Sequence, residues 1–278
     1  MWAVLLAGGE GSRLRPLLRH ALGEERPPQY VPLLGPRSLL RETLERTALR
    51  IPSARTVVMT VRAHVPYVGE EFTGVSDPPY VLVQPCDRGT APAILHAARW
   101  IARRDPEAML AVFPCDHFVL GAATFMAHVL DVVRASVSSP ERVALLGAAP
   151  PSAGSDHGWI EAGAPIDAAP ALLSPALLSE VREIGVGPPD RGELAPSLAG
   201  RWNTGVAVGS ADAFVVQLAD IWIAAGAHAI DRVVNNATCG DLMPGRVGCR
   251  SDSLYNAEAA AFFDGEYITQ NQLFQLRA

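Results

Sequence analysis

The sequence predicts an α/β protein built on a mainly parallel central sheet covered by helices on both faces. Three observations predict it. Short, continuously apolar runs recur along the first 210 of its 278 residues, and amphipathic stretches separate several of them. The first run also turns directly into a glycine-rich loop, at the kind of strand end where such sheets meet their ligands.

The elements follow in chain order. Trp2–Leu6 is apolar throughout and of strand length, as a parallel strand buried on both faces should be. Leu39–Leu49 places Leu40, Leu44 and Ala48 between charges, which predicts an amphipathic helix. Strands are expected at Thr56–Thr60, Tyr80–Val83, Met109–Phe113, Val143–Gly147 and Val206–Val208, with helices at Ala91–Ile101, Thr124–Val137 and 211–234. Residues 148–200 are rich in Ala, Pro, Ser and Gly around a strand at Val181–Val186, and read as an insertion or lid over the site. Beyond Asn235 the periodicity is weak except for an Ala-rich helix at Asn256–Phe263. The expected organisation is therefore a domain over 1–234 and a short C-terminal extension over 235–278, without internal repeats.

Composition narrows the partners. Hydrophobic residues make up 49% and charged residues 19%, within the range of ordinary globular proteins. A net charge of −6 argues against a nucleic-acid-binding surface. All 23 basic residues are arginine, so anionic ligands must be held by local guanidinium groups rather than by the field of the whole molecule. The N-terminus has no signal-peptide pattern and no stretch is long and apolar enough for a membrane span, which predicts a cytoplasmic protein with no membrane partner. Cys86, Cys115, Cys239 and Cys249 form no CxxC pair and suggest neither a disulfide framework nor a zinc site.

The most informative segment runs from Ala3 to Leu17. Gly8, Gly9 and Gly11 follow the first strand without side chains, so backbone N–H groups can approach a ligand closely. Amides so oriented bind anions, and Arg13 and Arg15 add forked cations suited to phosphate oxygens. Neither common glycine motif fits. A P-loop requires a lysine, which is absent, and the dinucleotide fingerprint fails because Leu14 stands where its third glycine belongs. The alternative is a glycine turn without a ligand.

Two further strand ends carry polar groups. After Tyr80–Val83 come Gln84-Pro85-Cys86-Asp87-Arg88-Gly89-Thr90-Ala91-Pro92-Ala93-Ile94, where Gln84, Gly89 and Thr90 could face a base edge; the alternative is a helix-capping turn with Thr90 as the cap. Met109–Phe113 ends in Pro114-Cys115-Asp116-His117, which sets a carboxylate beside the glycine loop if both strands are parallel. Later, Gly158-Trp159-Ile160-Glu161 and Trp202-Asn203-Thr204-Gly205-Val206 each pair an aromatic with hydrogen-bonding groups, which suits either a sugar ring or a packed core.

Taken in this order, the segments at 5–17, 26–35, 84–94, 113–117, 158–163 and 202–206 resemble the sugar-1-phosphate nucleotidyltransferases, and most closely the mannose-1-phosphate guanylyltransferases. The resemblance implies a Rossmann-like nucleotidyltransferase fold. It also implies in-line attack of a sugar 1-phosphate, mannose 1-phosphate, on the α-phosphorus of a nucleoside triphosphate, GTP, with release of pyrophosphate. By resemblance the nucleotide would be held by Leu6, Ala7, Gly8, Gly9, Gly11, Ser12 and Arg13 and by Gln84, Gly89 and Thr90. The sugar phosphate would lie near Gly147, Glu161, Asn203 and Thr204. Asp116 would bind Mg²⁺, the implied cofactor, and Arg13 and Asp116 would be the catalytic residues.

The departures are specific. The family places one lysine in a Pro-Lys-Gln-Phe segment and another in a Glu-Lys-Pro segment; here these read Pro27-Pro28-Gln29-Tyr30 and Gly187-Pro188-Pro189-Asp190. Arg26 and Arg191 are the nearby cations that could compensate, and Asp231 and Asp241 are candidates for a second metal carboxylate. The departures keep a second reading open, a catalytically weakened homologue that binds nucleotide or sugar phosphate as a regulatory or partner subunit. A homodimer is the default oligomeric expectation.

Overall fold

In a computed structural model the described residues are 1–12, 14–23, 25–33, 35–84, 87, 89–148, 158–165, 179–186 and 200–224. Four parallel strands form one half of the sheet: β1 (Trp2–Leu6), β2 (Thr56–Val61), β3 (Tyr80–Gln84) and β4 (Met109–Pro114). The other half joins antiparallel through the long strand β8 (Gly200–Ser210). One edge of β8 pairs with β5 (Val143–Ala148); the other pairs with β4 along its C-terminal part and with β6 (Gly158–Pro165) along its first residues. Hairpin partner β7 (Ser179–Val186) completes the order β3-β2-β1-β4-β8-β6-β7.

Side-chain alternation along β1 explains the two-faced covering. Trp2 and Val4 join Val57, Met59, Leu82, Leu110 and Val112 in a core closed by α4 (Thr90–Ala102) and α6 (Ala211–Ala224). Ala3 and Leu5 join Val58, Val81, Ala111 and Phe113 in a second core, closed by α2 (Leu39–Ala48), α3 (Val65–Phe72) and α5 (Ala122–Val137). Local chemistry sets the helix starts and ends. The Ser38 hydroxyl accepts from the Arg41 N–H at the head of α2, and α1 (Arg15–Leu22) ends at Gly23 in the left-handed region.

Among the described residues the structure adds two α-helices and a strand to those expected from sequence, α1, α3 and β6, besides short 3₁₀ turns, and starts β8 six residues before Val206. It also moves the cap of α4: Gly89 is the N-cap residue, at φ 87°, and Thr90 is the first helical residue. The expected helices beyond Ala224 and the 235–278 extension lie outside the described residues.

Buried His96 on α4 makes the fold acid-sensitive. It is 5% exposed, its Nδ1 has no partner among the described residues, and burial lowers its pKa to about 4. The unfolded chain therefore takes up a proton at this site below its ordinary value near 6.5, whereas the folded chain does not until about 4. Stability is fully present at neutral pH and falls as the pH drops through that window, by about 3 kcal/mol in total. The His96→Leu variant is expected to lose less melting temperature than the parent between pH 7 and pH 4.5; equal losses would remove His96 as the cause.

Candidate active site

All four parallel strands release the chain at one edge, and a cleft of about 230 Å³ opens there. Its described lining comes from the end of β1 (Leu6, Gly8, Gly9, Gly11), from Gln29, and from β2 (Met59). The β3–α4 junction adds Gln84, Asp87, Gly89, Thr90 and Ala93; β4 adds Pro114 and Asp116, and β8 adds Gly205. Leu6 pairs in register with both Met59 and Pro114, so the strand ends are level. With strands about 4.8 Å apart, the lining from β3 to β4 spans roughly 14 Å.

The glycine turn is braced from behind. Gln29 donates through Nε2 to the carbonyls of Ala7 (3.0 Å) and Gly9 (2.8 Å), and the Tyr30 hydroxyl donates to Ala7 O (2.8 Å) and meets Thr60 Oγ1 (3.0 Å). The Ala7 N–H donates to Met59 O, and those of Leu14 and Arg15 donate to Gly11 O. By contrast, the N–H groups of Gly8, Gly9 and Glu10 donate to no backbone carbonyl of the described residues. The turn thus holds its carbonyls inward on side chains and leaves amides for a ligand, the arrangement an anion needs.

Charge around the turn is shared out. Glu10 pairs with Arg15 (3.0 Å) and lies 3.4 Å from Nε2 of buried His64. Burial, partly offset by Glu10, holds His64 below its ordinary value, so the imidazole is neutral at pH 7. Across the cleft, Asp116 has a half-exposed carboxylate with His117 Nε2 at 3.7 Å. The Cys115 thiol before it is buried and pushed well above its usual value by burial and then by Asp116, so it stays protonated. An exposed hard oxygen donor facing a phosphate-type turn fits Mg²⁺, which binds through one or two carboxylates and substrate phosphates. Among the described residues no group of three or more His, Cys, Asp or Glu side chains could form an all-protein cage.

Of the nucleotide-side residues expected from sequence, Leu6, Gly8, Gly9, Gly11, Gln84, Gly89 and Thr90 line this one cleft together with Asp116. Ala7 is fully buried and its carbonyl is occupied by Gln29 and Tyr30; neither it nor Ser12 is part of the lining. On the sugar side, Gly147 pairs with Asn203, and Thr204 donates through Oγ1 to Leu146 O (2.5 Å). Glu161 pairs with Gly200, three residues along β8 from Asn203. None of these four positions is among the lining residues; from β8 the lining takes Gly205, which the sequence reading did not assign. Arg13, Arg191, Asp231 and Asp241 lie outside the described residues. Arg26 pairs with Glu70 (2.5 Å) and lies over the Tyr67 ring, and it is not among the lining residues.

Sequence reasoning also missed Gln29, Met59, Asp87, Ala93 and Pro114. Gln29 stood in a segment already singled out, and its bracing role sets an expected order of effects. Gln29→Leu removes two hydrogen bonds to the turn, whereas Tyr30→Phe removes one while Gln29 still serves Ala7 O. Tyr30→Phe also loses the bond to Thr60 Oγ1, so similar stability losses of about 2 kcal/mol are expected for both variants in melting experiments. Nucleotide affinity should fall further in the Gln29 variant, because among the described residues Gln29 alone donates to the Gly9 carbonyl.

The class of protein follows from comparison with known proteins. The fold is shared with a "mannose-1-phosphate geranyltransferase" from Thermus thermophilus, at 24% identity and a TM-score of 0.66, over 87% of this chain and 66% of that one. Residues 2–168 match the nucleotidyl transferase family, and the chain belongs to it. It is 33% identical over 162 residues to "Xanthan biosynthesis protein XanB" of Xanthomonas campestris pv. campestris (strain B100), covering 58% of this chain and 33% of that protein. It is 30% identical over 164 residues to "Mannose-1-phosphate guanylyltransferase 2" of Escherichia coli O157:H7, again 58% of this chain and 33% of the relative. The chain thus spans about a third of the length of these curated relatives. Among the described residues, no helix is long and apolar enough to cross a membrane.

Proposed function

We propose that the chain is an enzyme that joins a sugar 1-phosphate to a nucleoside triphosphate, with mannose 1-phosphate and GTP as substrates and Mg²⁺ as the ion. The observation that carries this reading is the single cleft in which the glycine turn after β1 faces Asp116 after β4. The names of the curated relatives support the choice of substrates, and a nucleotide sugar made from GTP implies a cytoplasmic location.

The sugar 1-phosphate brings its own anionic nucleophile, so the protein need not supply one. A phosphate oxygen forms a bond to the α-phosphorus, the bond from that phosphorus to the β-bridging oxygen breaks, and pyrophosphate leaves. The chain's work is positioning and stabilisation of charge. Gly8 and Gly9 present backbone N–H groups to the triphosphate, Gln29 keeps that turn in shape, and Asp116 would hold Mg²⁺ opposite it. When bound, the ion would neutralise phosphate charge that the amides leave unbalanced.

The test follows pyrophosphate release with Mg²⁺, mannose 1-phosphate and each nucleoside triphosphate in turn, alongside nucleotide-induced thermal stabilisation. Turnover fastest with GTP is expected. Stabilisation by nucleotide without turnover on any substrate pair would replace the enzyme by the binding homologue.

A further inference from the structure

The nucleotide reading leaves one charged group in the cleft without a task. Asp87 is exposed and lines the cleft at its β3 end, beside Gln84 and two strands away from the glycine turn. Two strand spacings amount to about 10 Å. A carboxylate at that place repels phosphates, so the phosphate chain is driven toward the free amides of the turn, where Asp116 would bring a cation, and the β3 end is left for the base.

From this placement we infer that Asp87 selects guanine by accepting hydrogen bonds from the N1–H and the 2-amino group of its Watson–Crick edge. The inference rests on the nucleotide-binding reading above and deepens it. An ionised carboxylate is acceptor-only, with about four lone-pair sites on its two oxygens. Oδ1 already takes one bond, from the Gly89 N–H at 2.8 Å, which fixes the side chain as a short turn and leaves Oδ2 and a second Oδ1 lone pair. Guanine is the common base that offers two adjacent donors on one edge; adenine, cytosine and uracil each offer one, next to an acceptor that the carboxylate would repel. The Gln84 side chain, 7% exposed in the same wall, carries the amide donor that guanine O6 requires.

The test compares binding of GTP, ITP, XTP and ATP to the full chain in Mg²⁺ by calorimetry, with the parent and Asp87→Asn. ITP lacks the 2-amino group, and XTP replaces it by a carbonyl that an amide can serve and a carboxylate cannot. The parent should bind GTP about tenfold or more tighter than ITP, XTP or ATP. Asp87→Asn keeps an oxygen acceptor for the Gly89 N–H, so the turn survives; GTP should weaken about tenfold or more while XTP strengthens and overtakes it. Equal parent affinity for GTP and ITP would overturn the inference, as would an Asn variant that keeps the parent's order or weakens all four alike. A parent that binds none of the four would overturn the transferase reading itself, a result distinct from either.

Discussion

Asp116→Asn is expected to leave the fold intact and to slow pyrophosphate release by roughly 10²–10³-fold, the usual loss for one preorganised charge-stabilising group. The carboxylate is half exposed, and its one ion-pair partner among the described residues is His117 at 3.7 Å, so it is not needed for packing. A surface change of this kind alters stability by no more than about 0.5 kcal/mol. Asparagine keeps the shape and one oxygen but loses the charge that a hard cation requires. Two measurements separate a metal role from general electrostatics. Mg²⁺ should deepen nucleotide-induced stabilisation of the parent but not of the variant, and His117→Ala, outside the cleft lining, should slow turnover far less. Turnover within tenfold of the parent, or an unchanged Mg²⁺ effect on binding, would take Asp116 out of the proposed mechanism.

How much of this was legible in the sequence depends on whether each element carried its own signal. The parallel strands did: β1 to β4 are apolar on both faces because helices cover both, and their bounds were read to within about a residue. Helix α1 carried a signal that went unread: Leu14, Leu18 and Leu22 recur at helical spacing, but Leu18 alone of the three is buried and Leu22 is exposed, so the stripe marks no core-facing side. Helix α3 is eight residues long, with Val68 and Phe72 as its buried positions, too few for a period. Strand β6 forms by pairing with β7 and β8, and the first part of β8 by pairing with β6 and β5, so their Gly, Ala and polar residues gain strand character from partners outside the local sequence.

The site divides in the same way. Gln84 ends its strand, and Gly8, Gly9 and Asp116 follow theirs within three residues, so knowing the strands places them at one edge. Gln29 reaches the turn through a single 3₁₀ turn, Pro28–Tyr30, whose position only tertiary packing determines. Gly205 enters because β8 runs antiparallel beside β4: at φ 70° it lies where a Cβ would meet Pro114 Cγ at 2.8 Å. No local pattern announces such a contact.

Gly11→Ala is expected to cost both stability and ligand binding, whereas Gly9→Ala should cost binding alone. Gly11 sits at φ 59°, where a residue with a Cβ is disfavoured by about 1–2 kcal/mol. A Cβ there would also fall 2.2 Å from Pro28 Cδ and 2.5 Å from Cγ, so the proline ring or the turn must move. Overpacking of this kind adds about 1–3 kcal/mol, for a total near 2–5 kcal/mol. Pro28 stands where the family resemblance places a lysine. Gly9 has nothing within 4 Å of its would-be Cβ and lines the open cleft. A methyl there meets no protein atom but occupies the approach to the amides. Melting temperature and nucleotide affinity, measured on both variants, separate the two effects: a lowered melting temperature only for Gly11→Ala, with weakened nucleotide binding in both. A Gly9→Ala protein that binds nucleotide as tightly as the parent would show that ligand phosphates do not rest on this turn.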